Sequence, residues 1–216
     1  MHSTIQTTPS LSSEIRPKRN LRWRVVDIVV ASVLGVAAGV IFWAWGLAWG
    51  PLSAALAFTP GLGGLLAGGW LFAGVLGGLV IRKPGAALYT ELVAAAVSAL
   101  IGTVWGFETL IWGLVQGIGA EIVFAAFFYA NWRIGVALLA GATTGLAVGL
   151  LDTTFTSYAA LDVAAKTTYV VSAIVSGVLI AGLLSWFAVR GLAATGALSR
   201  FASGRQARTV TGTSGQ

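Results

Sequence analysis

The sequence predicts an all-α, polytopic membrane protein with six transmembrane helices and with both termini in the cytoplasm. Three observations predict this class: 57% of the 216 residues are hydrophobic, only 9% are charged, and the basic residues flank the long apolar runs. A soluble domain carries roughly 25% charged residues, so one soluble core could not bury this much apolar surface, whereas lipid can solvate it. We therefore expect a multi-pass protein of the plasma membrane.

The apolar runs are close to the length that crosses a bilayer as a helix, which is about 20 residues. We predict spans at residues 25–45, 57–81, 86–104, 108–129, 134–151 and 167–190, with room for a short extra helix at 51–58. The spans form a six-helix transmembrane domain at 25–190, between a basic cytoplasmic tail at 1–24 and a cytoplasmic tail at 191–216 with a disordered end. A cleaved signal peptide is the alternative for the first apolar run, but this run exceeds the ~7–15 residues of a signal core.

The distribution of positive charge predicts the orientation. With the N-terminus inside, every lysine and arginine except Lys166 falls in a cytoplasmic segment, as the positive-inside rule requires. A model with five or seven spans would break this pattern. The net charge of +6 belongs to these flanking residues, so we expect contact with anionic lipid headgroups rather than with nucleic acid.

Residues that would support enzyme chemistry are missing from the sequence. It has no cysteine, its one histidine is His2, and no phosphate-binding G-x-x-x-x-G-K-[ST] motif occurs. The sequence therefore predicts neither an enzyme nor a protein with a metal or cofactor of its own. ATP hydrolysis, if the function needs it, has to come from partner subunits.

Three polar residues are predicted to lie at membrane depth: Glu91 in the third span, and Gln116 and Glu121 in the fourth. An intramembrane carboxylate is costly and marks a ligand, a proton path or a hydrogen bond to a neighbouring helix. At about 100° per residue, Gln116 shares a helix face with Trp112, whereas Glu121 points 140° away from Gln116. A straight fourth helix therefore cannot aim Gln116 and Glu121 at one point.

Aromatic residues concentrate near the predicted outer ends of the spans. They are Trp43, Trp45, Trp49, Trp105, Phe107, Trp112, Phe155 and Tyr158. An interfacial belt is one interpretation of this pattern. The other is a stacking surface or lid over an external pocket, since aromatic faces bind flat heterocycles and cations.

Small residues recur every four positions in the first span, at Ala31, Gly35 and Gly39. Such a stripe lets two helix backbones approach closely. It can serve packing within the molecule, or it can dock a partner protein.

Two central stretches, IRKPGAALYTELVAA at 81–95 and GLVQGIGAEIVFA at 113–125, resemble the YkoE-type family, with Trp105-Gly106 between them. Proteins of this family are substrate-binding S components of energy-coupling-factor (ECF) vitamin importers, linked to thiamine and its hydroxymethylpyrimidine precursor. The resemblance covers about residues 25–190. It implies a six-helix fold with an extracellular pocket, a membrane coupling protein and two cytoplasmic ATPases as partners, and toppling of the S component to release substrate inside.

The resemblance also implies roles for particular residues. Matching positions give Glu91, Trp105, Gln116 and Glu121 as pocket residues, with Trp70 as a weaker match, and Ala31, Gly35 and Gly39 as the stripe that docks the coupling protein. From the aromatic pattern we add Trp112, and Tyr158 as a candidate lid residue. Two other functions stay open: a proton-coupled transporter working alone, and a membrane assembly factor without transport activity.

Overall fold

The computed structural model describes residues 21–196 together with Leu198, Phe201 and Ser203. The predicted tails at 1–24 and 191–216 lie mostly outside the described residues. Within the described residues the chain forms six helices and no strand, which confirms the all-α class. The helices are α1 (Val25–Leu56), α2 (Gly68–Ile81), α3 (Ala86–Ile101), α4 (Thr109–Ala126), α5 (Ile134–Phe155) and α6 (Val163–Ala194).

Five of these helices are long and apolar enough to cross a membrane, counting α2 together with the 3₁₀ turn Leu62–Leu66 that precedes it. The remaining helix, α3, has 16 residues and is about 24 Å long at 1.5 Å per residue. It begins after Gly85 and ends before Gly102, which have φ values of +82° and +105°. These left-handed conformations are strained for other residues, so the two glycines fix where α3 starts and stops.

The first helix is longer than the sequence predicted. It continues through Pro51 to Leu56, so the segment 51–58 is not a separate helix. Contacts of two side chains hold this extension: Trp45 packs edge-on against Trp70, and Trp49 packs edge-on against Trp105.

The fifth and sixth helices also extend beyond their predicted ends, to Phe155 and back to Val163. Hydropathy falls there, but the polar side chains bond to the helices themselves. The Thr154 hydroxyl donates to the carbonyl of Leu150, and the Asp162 carboxylate accepts from the backbone N–H of Ala165 at the start of α6.

The second helix lies at the centre of the bundle and contacts all five other helices, while α3 packs against α1, α2 and α4, and α5 packs against α4 and α6. Glycines make these contacts close. A Cβ added to Gly113 of α4 would lie 2.5 Å from Cβ of Ala95, and one added to Gly141 of α5 would lie 2.7 Å from the backbone nitrogen of Gly182 in α6. The small-residue stripes therefore hold helices of this chain together.

The stripe Ala31, Gly35 and Gly39 packs inside the molecule, where all three residues are buried. A Cβ on Gly35 would lie 2.6 Å from Val93, and one on Gly39 would lie 2.6 Å from Val97, both on α3. The lipid-facing side of α1 is instead formed by exposed valines and isoleucines. In this conformation the stripe is covered by α3, so docking of a coupling protein on it stays a prediction that the packing does not favour.

Candidate functional site

A cavity of about 340 Å³ lies at the end of the bundle opposite the N-terminus of α1. Its walls come from the C-terminal part of α1, the start of α2, the start of α4, the end of α5 and the start of α6. Ser176 of α6 fixes one wall, since its hydroxyl donates to the carbonyl of Leu65 at 2.5 Å and accepts from the backbone N–H of Gly68 at 3.0 Å. These bonds hold the 3₁₀ turn that opens α2 against α6.

One wall of the cavity is built from tryptophans packed edge to face. Trp105 lies between Trp70 and Trp49, with ring centroids 5.3 Å and 5.6 Å away and interplanar angles of 89° and 78°. Indole Nε1 of Trp70 donates to the carbonyl of Phe42 at 3.2 Å, which fixes the ring. The wall is therefore a fixed aromatic surface that suits a flat ring or a cation.

Asp152, near the end of α5, places a carboxylate in the cavity wall. Its Oδ1 accepts from Nε1 of Trp112 and its Oδ2 accepts from the hydroxyl of Tyr169, both at 2.7 Å. Asp152 is 8% exposed, and among the described residues no lysine or arginine forms an ion pair with it. A nearly buried carboxylate held by two neutral donors is a suitable counter-charge for a cationic ligand.

Tyr158 lines the cavity from the loop between α5 and α6. Its ring packs on Tyr169, with centroids 4.5 Å apart. Burial, and then the nearby Asp152 carboxylate, raise the pKa of the Tyr158 phenol. The hydroxyl therefore stays protonated at neutral pH and can donate a hydrogen bond.

Gln116 of α4 forms a polar part of the cavity surface and is 5% exposed. The surrounding acceptors assign its amide orientation: the amide nitrogen donates to the carbonyl of Trp70 at 3.0 Å and to Oε1 of Glu91 at 2.8 Å. Thr109, one turn from Trp112, also lines the cavity, and its buried hydroxyl has no hydrogen-bond partner among the described residues. Both side chains thus have polar capacity for a ligand.

Glu91 lies behind this surface rather than in it. It is fully buried, and its Oε2 accepts from the backbone N–H of Gly74 at 2.5 Å. Because it is not among the residues that line the cavity, the structure gives Glu91 contact with Gln116 but not with the cavity itself.

Glu121 lies at the other end of the bundle. Its carboxylate accepts from the backbone N–H groups of Gly85, Ala87 and Leu88 at 2.6, 3.0 and 3.3 Å, and from the hydroxyl of Tyr129 at 2.7 Å. These N–H groups belong to the first turn of α3, where a negative charge also stabilises the helix dipole. The carboxylate therefore caps α3 from α4, and the structure does not bring it together with the cavity.

We predict that Glu121→Gln lowers stability and leaves ligand binding in the cavity unchanged. An amide cannot accept from both sides as a carboxylate does, and hydrogen bonds to a charged group are worth about 1.5–3 kcal/mol. Thermal unfolding of the purified protein in detergent should show a lower midpoint for Glu121→Gln. Glu108→Gln is the control at an exposed carboxylate, and an equal midpoint for both variants would contradict the capping role.

The structure brings together five of the seven pocket residues suggested by the sequence, namely Trp70, Trp105, Trp112, Gln116 and Tyr158. Sequence reasoning missed Asp152, Tyr169 and Glu108, which also line the cavity. The signal for Asp152 was present, since it follows the predicted fifth span by one residue. Ending that span at 151 assigned Asp152 to a loop.

Among the residues that the structure describes, no group of three or more histidine, cysteine, aspartate and glutamate side chains could hold a metal ion. The site is thus an aromatic cavity with one nearly buried carboxylate and further polar groups.

Comparison with known proteins gives three concordant matches. The family described as an ABC-type cobalt transport system, permease component, matches residues 26–147. The chain is 34% identical over 187 residues to a "Putative HMP/thiamine permease protein YkoE" of Bacillus subtilis, which covers 85% of this chain and 92% of the relative. A solved structure described as "Crystal structure of an S-component of ECF transporter" is 32% identical, with a TM-score of 0.84, and the match covers 89% of this chain and 97% of that one.

Together with the apolar six-helix bundle, these matches define a membrane transport component that binds substrate and lies in the plasma membrane. The sequence match to the YkoE relative and the structural match to the S component each cover most of this chain and most of the matched protein. The chain belongs to the YkoE-type family of S components of ECF transporters, which confirms the resemblance seen in its central stretches.

Proposed function

We propose that this protein captures thiamine or its hydroxymethylpyrimidine precursor from outside the cell, for ATP-driven uptake by an ECF coupling protein and two cytoplasmic ATPases. The observation that carries the proposal is a cavity whose lining combines a tryptophan wall with Asp152, a nearly buried carboxylate that has no basic partner among the described residues. Thiamine combines a flat aminopyrimidine with a permanently cationic thiazolium ring. Stacking on Trp105 or Trp70 and the charge of Asp152 suit these two features.

The direction of capture is inferred from the charges at the two ends of the bundle. Among the described residues, the end opposite the cavity carries every lysine and arginine except Lys166. There Lys83 and Arg24 both pair with buried Asp27, with nitrogen–oxygen distances of 2.5 and 3.0 Å. The positive-inside rule puts that end in the cytoplasm, so the cavity opens outward.

Energy has to come from other subunits, because the sequence contains no phosphate-binding loop for ATP. The name of the YkoE relative supports the substrate class, and the likeness to the solved S component supports the ECF architecture. We do not propose cobalt as the substrate, because the cavity offers aromatic faces and scattered oxygens rather than a cluster of metal ligands.

Co-purification and uptake test this proposal together. We expect an affinity-tagged protein, isolated from its native membrane in mild detergent, to bring down a membrane coupling protein and two ATPases. Thiamine uptake by cells that express all of these subunits should stop when the ATPases carry a substitution of the Walker-A lysine. Uptake that persists without functional ATPases and collapses with a proton uncoupler would instead indicate a transporter that works alone.

A further inference from the structure

Gln116 is a polar residue of the cavity that also has a fixed partner behind it. We propose that Glu91 is a positioning residue: it holds the Gln116 amide with the carbonyl oxygen toward the cavity, so that the site selects a ligand that donates a hydrogen bond there. This inference rests on the proposed function, because it concerns how the same cavity distinguishes an aminopyrimidine from its oxo analogue.

The Glu91 carboxylate is fixed by a backbone group. Oε2 accepts from the N–H of Gly74 at 2.5 Å, and a Cβ added to Gly74 would lie 3.1 Å from that oxygen, so the close approach uses the missing side chain. A backbone N–H only donates. This end of the Glu91 side chain must therefore be an acceptor, which leaves Oε1 for Gln116.

Two acceptors then determine how the amide of Gln116 is oriented. The carbonyl of Trp70 and Oε1 of Glu91 lie 3.0 and 2.8 Å from the amide nitrogen. The reverse orientation would place the amide oxygen against both of these acceptors. With both N–H groups used, the carbonyl oxygen is the group that the amide has left for the cavity that Gln116 lines.

This arrangement makes the amide selective. A carbonyl oxygen binds a ligand N–H, such as the exocyclic amine of an aminopyrimidine, and is repelled by an oxygen at the same place. The Glu91 side chain is not required to touch the ligand. Its role is to keep the amide from rotating, which would present N–H donors instead.

Replacement of Glu91 by glutamine should disturb this control. The new amide has to turn its oxygen to the N–H of Gly74, so its NH₂ group faces the NH₂ group of Gln116, donor against donor. The Trp70 carbonyl still favours the old orientation of the Gln116 amide and the new NH₂ group favours the reverse one, so the orientation is no longer fixed. The variant should lose preference for the amine and tolerate the oxo analogue.

The test measures dissociation constants of thiamine and oxythiamine, in which a carbonyl oxygen replaces the amine, for the detergent-purified protein. We expect the unmodified protein to prefer thiamine. Glu91→Gln should lower the preference about tenfold or more, as expected for one hydrogen bond to the ligand. Gln116→Met should lower it as well, and the double variant should be no less selective than Gln116→Met alone, because Glu91 acts through Gln116.

If Glu91→Gln lowers the affinities for thiamine and oxythiamine equally, Glu91 has only a structural role and the proposal is overturned. An additive loss of selectivity in the double variant would also overturn it. If Glu91→Gln does not fold, Glu91→Asp keeps the carboxyl group but withdraws it from Gln116, and an unchanged preference in that variant overturns the proposal. Binding of thiamine with unaltered preference in all variants refutes this inference alone. Failure of the unmodified protein to bind either compound refutes the proposed function and this inference with it.

Discussion

Replacement of Asp152 by asparagine is expected to weaken thiamine binding about 10- to 100-fold. The change keeps the shape of the side chain but removes the charge that faces the cavity, and an interaction with a charged group in a buried site is worth about 1.5–3 kcal/mol. An asparagine amide would also turn an N–H toward Trp112 Nε1 or the Tyr169 hydroxyl, where the carboxylate now accepts. Quenching of tryptophan fluorescence by thiamine measures the change.

Asp162 offers a matched control at the same end of the bundle. It is exposed and caps the start of α6 through the N–H of Ala165. Asparagine caps a helix as well as aspartate does, so Asp162→Asn should leave both stability and affinity unchanged. If Asp152→Asn binds thiamine like the unmodified protein, the carboxylate is not the counter-charge for the ligand. An unaltered affinity for hydroxymethylpyrimidine beside a weakened affinity for thiamine would instead assign Asp152 to the cationic ring.

Replacement of Gly35 by leucine is expected to separate α1 from α3 and to lower both stability and binding. A Cβ at this position would lie 2.6 Å from Cγ1 of Val93 and 3.0 Å from the carbonyl oxygen of Thr90, and a leucine adds three more carbon atoms. Overpacking of this kind costs about 1–3 kcal/mol or more. Thermal unfolding in detergent should begin roughly 5–10 °C lower, and thiamine affinity should fall because α1 carries Phe42 and Trp49 of the cavity.

Val36→Leu is the control, since Val36 is the next residue and is 47% exposed on the outer face of α1. It should change neither property. A Gly35→Leu variant that is stable and binds thiamine but no longer associates with the coupling protein would contradict internal packing as the role of the stripe. That result would favour docking.

The helical architecture could be predicted from the sequence because each span is marked by about 20 apolar residues and by the charges on either side of them. Helix ends were less predictable. Thr154 and Asp162 look like loop residues by hydropathy, yet their side chains bond to the backbone and extend α5 and α6. The end of α1 was also misplaced: the helix continues through Pro51, where the contact between Trp49 and Trp105 holds it.

The candidate site could be predicted only in part. A sequence shows which residues share one face of a helix, but it does not show which other helix packs against that face. Glu91 and Glu121 are both carboxylates in apolar spans, but one lies behind Gln116 and the other caps α3. Only the crossing of α3 and α4 separates these roles. Likewise the stripe at Gly35 predicts a close helix contact, whereas its partner, α3, is set by the packing of the whole bundle.

Titration of the purified protein with thiamine and with hydroxymethylpyrimidine tests the central claim most directly. Four tryptophans, Trp49, Trp70, Trp105 and Trp112, line the cavity, so a bound ring should quench their fluorescence saturably with one ligand per chain. Trp105→Ala should reduce the quenching and weaken affinity through lost stacking, whereas Trp186→Phe, far from the cavity, should leave both unchanged. Absence of saturable quenching by either compound, in protein that is folded by its thermal transition, would contradict substrate capture in this cavity.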